Sequence, residues 1–79
     1  MTCTTPTPQQ LRALLSSLEL TGSQAGRIVG VDGRTIRRWT GGERPIPFAS
    51  LYTLVHQATG IELHPETCSE QIAEYLKNA

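Results

Sequence analysis

The sequence lacks the features on which a small metal-bound or disulfide-bonded domain is built. Of its 79 residues, 2 are cysteines, and 5% are aromatic. Cys3 and Cys68 are too few for a disulfide framework, and neither they nor His56 and His64 have the paired close spacing of zinc ligands. We therefore expect these four residues to be ordinary surface or half-buried side chains, and we expect no metal and no cofactor.

The chain also lacks the signals of a membrane protein or a secreted protein. No apolar run approaches the roughly 18 residues that a membrane span requires. The segment Met1–Pro8 is polar, with neither the basic region nor the apolar core of a secretory signal. These absences predict a cytoplasmic protein in a reducing compartment, with no membrane partner.

Signals for catalysis are missing as well. The sequence has no glycine-rich phosphate loop, no nucleophile next to a base and no metal-ligand spacing. Asp32 and Glu43 have plausible structural roles as a helix cap and a loop residue. We therefore expect a protein that is not an enzyme, and no small-molecule ligand is evident.

The chain does have a segregated distribution of charge, which its formal net charge of zero conceals. Residues 21–45 contain five arginines against Asp32 and Glu43, whereas residues 46–79 contain Lys77 against four glutamates. We expect a basic binding face on one side of the domain and an acidic end turned away from it.

Two segments carry the same signature of a helix start. Thr7 and Thr21 each precede a glutamine by three residues, the spacing of a capping box, and Pro8 stands at a first helical position. This predicts a first helix from about Pro8 to Glu19 and a second helix that ends at Gly30. The residues predicted to face inward are Leu11, Leu14, Leu15, Leu18, Ala25, Ile28 and Val29.

A third helix is predicted over about Gly33–Thr40, capped by Asp32 and terminated by Gly41-Gly42. On a wheel of about 100° per residue, Ile36 and Trp39 define its buried side. Three arginines lie opposite them within about 100° of arc. They are Arg34, Arg37 and Arg38. Two apolar residues would seat this helix on a core, and its three guanidinium groups would point outward. Such a helix is suited to an anionic partner such as duplex DNA.

A β-hairpin is the alternative for this region. Asp32-Gly33 is a strong hairpin turn signal, and β-branched residues flank it at positions 28–29 and 35–36. Three glycines would weaken the first strand, however, and the capping pattern at Thr21 favours a helix. If both segments are helical, we expect Gly26 to be the close contact, at a point where a side chain would clash with the third helix.

The rest of the chain predicts two more helices after a loop at residues 43–47 that two prolines stiffen. They should run from about Pro47 to Gly60 and from about Pro65 to Lys77. Their inward residues are predicted to be Phe48, Leu51, Leu54, Val55, Ala58, Ile72, Ala73 and Leu76. The fold class is therefore all-α, a compact bundle of about five helices forming one domain over residues 1–79 with its core in residues 8–60.

Several positions of the helical region share their spacing with a known family. They are Leu20-Thr21, Gly26, Gly30-Val31-Asp32, Ile36, Trp39, Gly42 and Pro45. With these residues, the stretch from about 9 to 60 resembles the phage Cro/CI-type helix-turn-helix transcriptional regulators, whose domain is lambda-repressor-like. Gly26 departs from the alanine usual in the family, and Thr40 departs from the glutamate that often follows the tryptophan. The short length and the segment Arg44–Phe48 also resemble small anti-CRISPR-associated phage regulators, which repress their own operon.

The resemblance implies a repressor that binds double-stranded DNA and places residues 33–40 in the major groove. Arg34 and Arg37 would then read bases, and Arg38 would read a base or hold a phosphate. The implied phosphate contacts are Ser23, Gln24, Arg27, Thr35 and Arg44. Ser23 and Gln24 have an independent physical reason, because free N–H groups and the helix dipole favour an anion at a helix N-terminus.

The resemblance further implies a homodimer on a palindromic operator, with half-sites about one helical turn, roughly 34 Å, apart. Ile72, Tyr75 and Leu76 on the C-terminal helix either pack on the domain or form the dimer seam, and we favour the seam. An antitoxin or another protein-interaction module with secondary DNA binding is the alternative function. A toxin-like gene neighbour would favour that alternative, whereas an inverted repeat upstream of the protein's own operon would favour the repressor.

Overall fold

Five helices follow one another in the computed structural model, which describes residues 6–78. They are α1 (Pro8–Ser17), α2 (Gly22–Val29), α3 (Gly33–Thr40), α4 (Phe48–Thr59) and α5 (Cys68–Asn78). Within the described residues there is no strand. The all-α prediction is confirmed, and the alternative of a β-hairpin around Asp32-Gly33 is wrong. Cys3 lies outside the described residues, as does the first part of the polar segment Met1–Pro8.

The first two helices begin where the capping patterns predict. The Thr7 hydroxyl accepts a hydrogen bond from the Gln10 N–H at 3.1 Å, and the Gln10 side chain accepts one from the Thr7 N–H at 2.9 Å. Thr21 and Gln24 repeat this reciprocal pair at the same two distances. Each capping box satisfies N–H groups that have no partner within the first turn of a helix.

The core is a single cluster of apolar side chains drawn from all five helices and from the connections after α3 and α4. Its members are Leu11, Leu14, Leu15, Ala25, Ile36, Trp39, Ile46, Leu51, Leu54, Val55, Leu63, Cys68 and Ile72. Full burial of one such aliphatic side chain stabilises a fold by about 1.5–3 kcal/mol. The contacts of α3 with α1 and α2 place this short helix directly against the cluster.

Three predictions about burial are wrong, two of them because helical spacing alone does not determine which residues of a helix are covered. Ala58 shares a wheel position with Leu51 but is exposed. Ala73 is exposed as well, because the buried stripe of α5 runs through Cys68 and Ile72. Phe48 faces inward as predicted, because it is half-buried at the first turn of α4 and packs against the core. Cys68 is 0% exposed, so the expectation of a surface or half-buried thiol is wrong for this residue.

The last helix begins three residues later than predicted. The segment after Pro65 forms a turn in which the Thr67 N–H donates to the His64 carbonyl at 3.1 Å. The Gln71 side chain holds the same connection, because it accepts from the His64 N–H at 2.7 Å and donates to the Glu62 carbonyl at 3.1 Å. None of the described helices combines the length and the apolar character needed to cross a membrane.

Candidate nucleic-acid interface

A tight three-residue connection joins α2 to α3. Gly30 has φ 80° and ψ 29°, in the left-handed region that glycine tolerates best. The Gly26 carbonyl accepts from both the Gly30 N–H and the Val31 N–H, each at 2.8 Å. These two hydrogen bonds fix the path of the chain at the corner, and with it the direction in which α3 leaves α2.

Gly26 allows this corner to close against α2. A Cβ atom at position 26 would lie 2.6 Å from the Val31 carbonyl oxygen, far inside van der Waals contact. The prediction of a close approach at Gly26 is therefore confirmed. The predicted partner is wrong, however, because the nearest atom belongs to the connection and not to α3 itself.

Asp32 caps the N-terminus of α3, as the sequence predicts. One carboxylate oxygen accepts from the Thr35 N–H and from the Thr35 hydroxyl, both at 2.8 Å. These two hydrogen bonds, and after them the charges of Arg34 and Arg38, hold the pKa of Asp32 below its ordinary value of 3.8. The Thr35 hydroxyl proton is therefore already engaged within the protein.

The two sides of α3 differ as the helical wheel predicts. Ile36 is 3% exposed and Trp39 is 7% exposed, so both lie in the core. The three arginines are all exposed on the other side of the helix. The guanidinium groups of α3 therefore face away from the residues that seat it. We call this surface of Arg34, Arg37 and Arg38 the arginine face.

The N-terminus of α2 adjoins the arginine face. The Ser23 hydroxyl oxygen and an Nη atom of Arg37 both lie 3.7 Å from the point that a Cβ of Gly33 would occupy. Ser23 and Gln24 are exposed there, although the side-chain amide oxygen of Gln24 accepts a hydrogen bond from the Thr21 N–H in the capping box. Two separate elements thus present hydrogen-bond donors on one surface.

The remaining predicted phosphate contacts are exposed but lie on other segments. Arg27 is in the last turn of α2, and Arg44 is in the loop after α3. The Arg44 N–H donates to the Arg38 carbonyl at 3.4 Å, which ties the start of this loop to α3. Arg44 is therefore held close to the C-terminal end of the arginine face.

One basic residue near this surface was missed by the sequence analysis. Arg12 of α1 donates a hydrogen bond from its guanidinium to the Thr40 carbonyl at the end of α3. It is also exposed and lines one groove together with Arg37. No local pattern could have indicated this contact, because its two residues are 28 positions apart in the chain.

The three dimerisation candidates on α5 differ in how far they are buried. Ile72 is 1% exposed and belongs to the core, so it packs on the domain and offers no surface to a second copy. Tyr75 and Leu76 are half-buried and pack against the edge of the core. Only these two of the three candidates keep part of their surface exposed.

Two curated proteins are similar to this chain over part of its length. Both are transcriptional repressor proteins KorC from Escherichia coli, and they are 46% and 40% identical to it over 48 residues. The matched region covers 57% of this chain and 56% of each relative, so the chain spans little more than half the length of the curated relatives it matches. No family model matches the chain. No solved structure matches it either.

Proposed function

We propose that this protein is a transcriptional repressor that binds specific sites on double-stranded DNA through α3. The observation that carries the proposal is the division of α3, in which Ile36 and Trp39 are buried while the arginine face is exposed. The similarity to repressors named KorC supports the same function. In this proposal α2, the connection and α3 form a helix-turn-helix of the Cro/CI type, and α3 enters the major groove.

Within this proposal the arginines supply sequence discrimination. An arginine that pairs bidentately with O6 and N7 of guanine contributes about 1–3 kcal/mol of preference over the wrong base. We assign this role to Arg34 and Arg37, and we assign Arg38 to a base or a phosphate. These side chains start from a helix that Ile36 and Trp39 seat on the core, so the groups that would read the bases have a fixed origin.

Phosphate contacts would fix the register of the protein on the duplex. Ser23 and Gln24 stand in the first turn of α2, where the positive end of the helix dipole favours an anion, although the Gln24 N–H is engaged by the Thr21 hydroxyl. Arg27, Thr35 and Arg44 are the further candidates. The Thr35 hydroxyl donates to the Asp32 carboxylate, so it could bind a phosphate in only two ways. It would have to release that hydrogen bond, or its oxygen would have to accept a hydrogen bond from a water molecule that bridges to the phosphate.

In this proposal the protein represses transcription by occupying a promoter as a homodimer. The two copies would bind an inverted repeat whose half-sites lie about one helical turn apart. Tyr75 and Leu76 are the proposed dimer contacts, since they combine apolar surface with partial exposure on α5. Binding upstream of its own operon would make the protein an autorepressor.

Selection of genomic DNA tests the proposed function most directly. Purified protein is mixed with fragmented DNA from the source organism at physiological salt, and the retained fragments are sequenced. We expect enrichment of a few sites that share an inverted repeat. The control is a variant with Arg34, Arg37 and Arg38 all replaced by alanine, which should lose this enrichment while keeping its helical circular dichroism. Uniform recovery by the original protein, or none, would overturn the proposal and favour a protein-interaction module.

Sedimentation in solution tests the proposed dimer separately. Leu76→Glu should shift the protein from dimer to monomer, because it places a charge in an apolar seam. Ala73→Glu is the matched control, since it adds the same charge at an exposed position of the same helix. Equal behaviour of the two variants would exclude this surface as the seam.

A further inference from the structure

The C-terminal end of α3 is closed by hydrogen bonds from several parts of the chain. The Arg37 carbonyl accepts from the Gly41 N–H at 2.8 Å, and the Arg38 carbonyl accepts from the Glu43 N–H at 3.0 Å. The Trp39 carbonyl accepts from the Gly42 N–H at 3.4 Å. A helix normally leaves its last four carbonyls without a partner in the helix, and here the loop satisfies three of them.

The fourth carbonyl, that of Thr40, is satisfied from a different helix. Its partner is the Arg12 guanidinium of α1. A cation at this end of a helix also interacts favourably with the negative end of the helix dipole. Arg12 of α1 is therefore a side-chain cap of α3, although α2 lies between these two helices in the chain.

Arg12 and Arg37 line the same groove. The groove has a volume of about 430 Å³, and its walls include Ser16, Gly22 and Thr40 as well as the two arginines. Arg12 is held at Thr40 by its hydrogen bond, whereas an Nη atom of Arg37 lies near Gly33, where the Ser23 hydroxyl also lies. Two positive charges in one groove repel each other, so an anchored Arg12 disfavours rotation of Arg37 toward α1.

We propose that Arg12 is a positioning residue of the DNA-binding surface, which caps α3 and keeps the Arg37 guanidinium near Gly33 and Ser23. This inference rests on the proposed function, in which Arg37 reads a base. In this proposal Arg12 itself contacts no base, and it acts by capping α3 and by repelling the Arg37 guanidinium. Its effect on DNA recognition is therefore exerted through Arg37.

A double-mutant cycle measures that dependence. The probe is the site recovered from genomic DNA, compared with the same site changed at the base whose preference Arg37→Ala abolishes. We expect Arg12→Met to reduce the ratio of the two affinities by about threefold to tenfold, within the range of the net contribution of one ordinary hydrogen bond. In an Arg37→Ala background the same substitution should leave the affinity for the recovered site itself unchanged, because the group that it orients is gone.

Two variants control for charge. Lys77→Met removes one positive charge from the exposed surface of α5 and should leave the affinity ratio unchanged. Arg12→Lys keeps a cationic donor on a flexible stem and should restore most of the ratio. The slope of log affinity against log salt should be equal in Arg12→Met and Lys77→Met. If the negative slope became shallower by about 0.9 in Arg12→Met but not in Lys77→Met, Arg12 would be a phosphate contact and the proposal would be overturned.

Amide hydrogen exchange tests the cap without DNA. In Arg12→Met the amides of residues 41–44 should exchange at least about threefold faster than in Lys77→Met, since the end of α3 opens more easily. Unchanged exchange would overturn the proposed cap even if the protein binds DNA specifically. Faster exchange in a protein that recovers no specific site would overturn the proposed function while leaving the cap in place.

Discussion

The Asp32 carboxylate accepts two hydrogen bonds from Thr35, one from its N–H and one from its hydroxyl, each at 2.8 Å. One side chain thus serves both as the cap of α3 and as the partner of a residue in its first turn. Because α3 has eight residues, the loss of one terminal turn would remove a large part of it. The stability of α3 therefore depends on the charge state of this exposed carboxylate.

Acid should weaken the domain through Asp32. Its pKa is lower in the folded protein than its ordinary value of 3.8, so its contribution to stability is fully present above that value. The contribution is lost as the pH falls through the folded-state pKa. Asp32→Asn should keep a good cap at neutral pH but lose this part of the acid dependence, whereas Asp32→Ala should lower the melting temperature at every pH. Melting curves between pH 2 and pH 7 measure this, and identical acid profiles of the original protein and Asp32→Asn would contradict the assignment.

Alanine should be harmful at Gly26 and harmless at Gly33. The Cβ of Gly26→Ala would meet the Val31 carbonyl oxygen at 2.6 Å, so the corner must shift, at a cost of about 1–3 kcal/mol. The Cβ of Gly33→Ala would make only ordinary contacts of 3.7 Å. Urea unfolding followed by the fluorescence of Trp39, the single tryptophan of the chain, compares the two variants. Equal stability would show that the corner has room for a side chain.

Substitution at Ile36 should test how α3 is seated. Ile36 is 3% exposed, and an aspartate there would be a buried charge without a partner, so Ile36→Asp should unfold the domain. Ile36→Val removes one methylene group and should cost only about 0.5–1.5 kcal/mol. Circular dichroism during heating distinguishes the two outcomes. An unchanged melting temperature in Ile36→Asp would mean that this side of α3 is not buried in solution.

Removal of Arg37 should affect specificity more than general affinity. If its guanidinium reads a base, Arg37→Ala should weaken binding to the specific site by about 1–3 kcal/mol and binding to unrelated duplex DNA by much less. Titrations of both duplexes at one fixed salt concentration give the two losses. Equal losses on the two duplexes would reassign Arg37 to a phosphate contact.

The elements that could be predicted from sequence are those whose signals are local. Thr7 and Thr21 reach their glutamine partners within one helical turn, so the spacing alone indicates both capping boxes. Gly30 and Asp32 mark the corner for the same reason, since a left-handed residue and an N-cap depend on adjacent backbone. The division of α3 into a buried and an exposed side was predictable because a single helical wheel determines it.

The features that could not be predicted depend on contacts between distant segments. Ala58 and Ala73 have the spacing of buried residues, but whether they are covered depends on how far the neighbouring helices extend. Ile46 is 3% exposed although it stands between two prolines in a loop, a position that carries no periodic signal. Arg12 is the most consequential case for the candidate site, because its partner Thr40 belongs to another helix.

The two sides of α3 have separate roles, and this separation affects how a protein of this kind can change in evolution. The side chains that attach this helix to the domain and those proposed to meet DNA are different residues on opposite sides of it. Replacement of an outward arginine alters neither the core nor the corner, so it leaves the ability to fold largely intact. A lineage of this protein could therefore acquire a new target sequence in single steps, each passing through a folded intermediate.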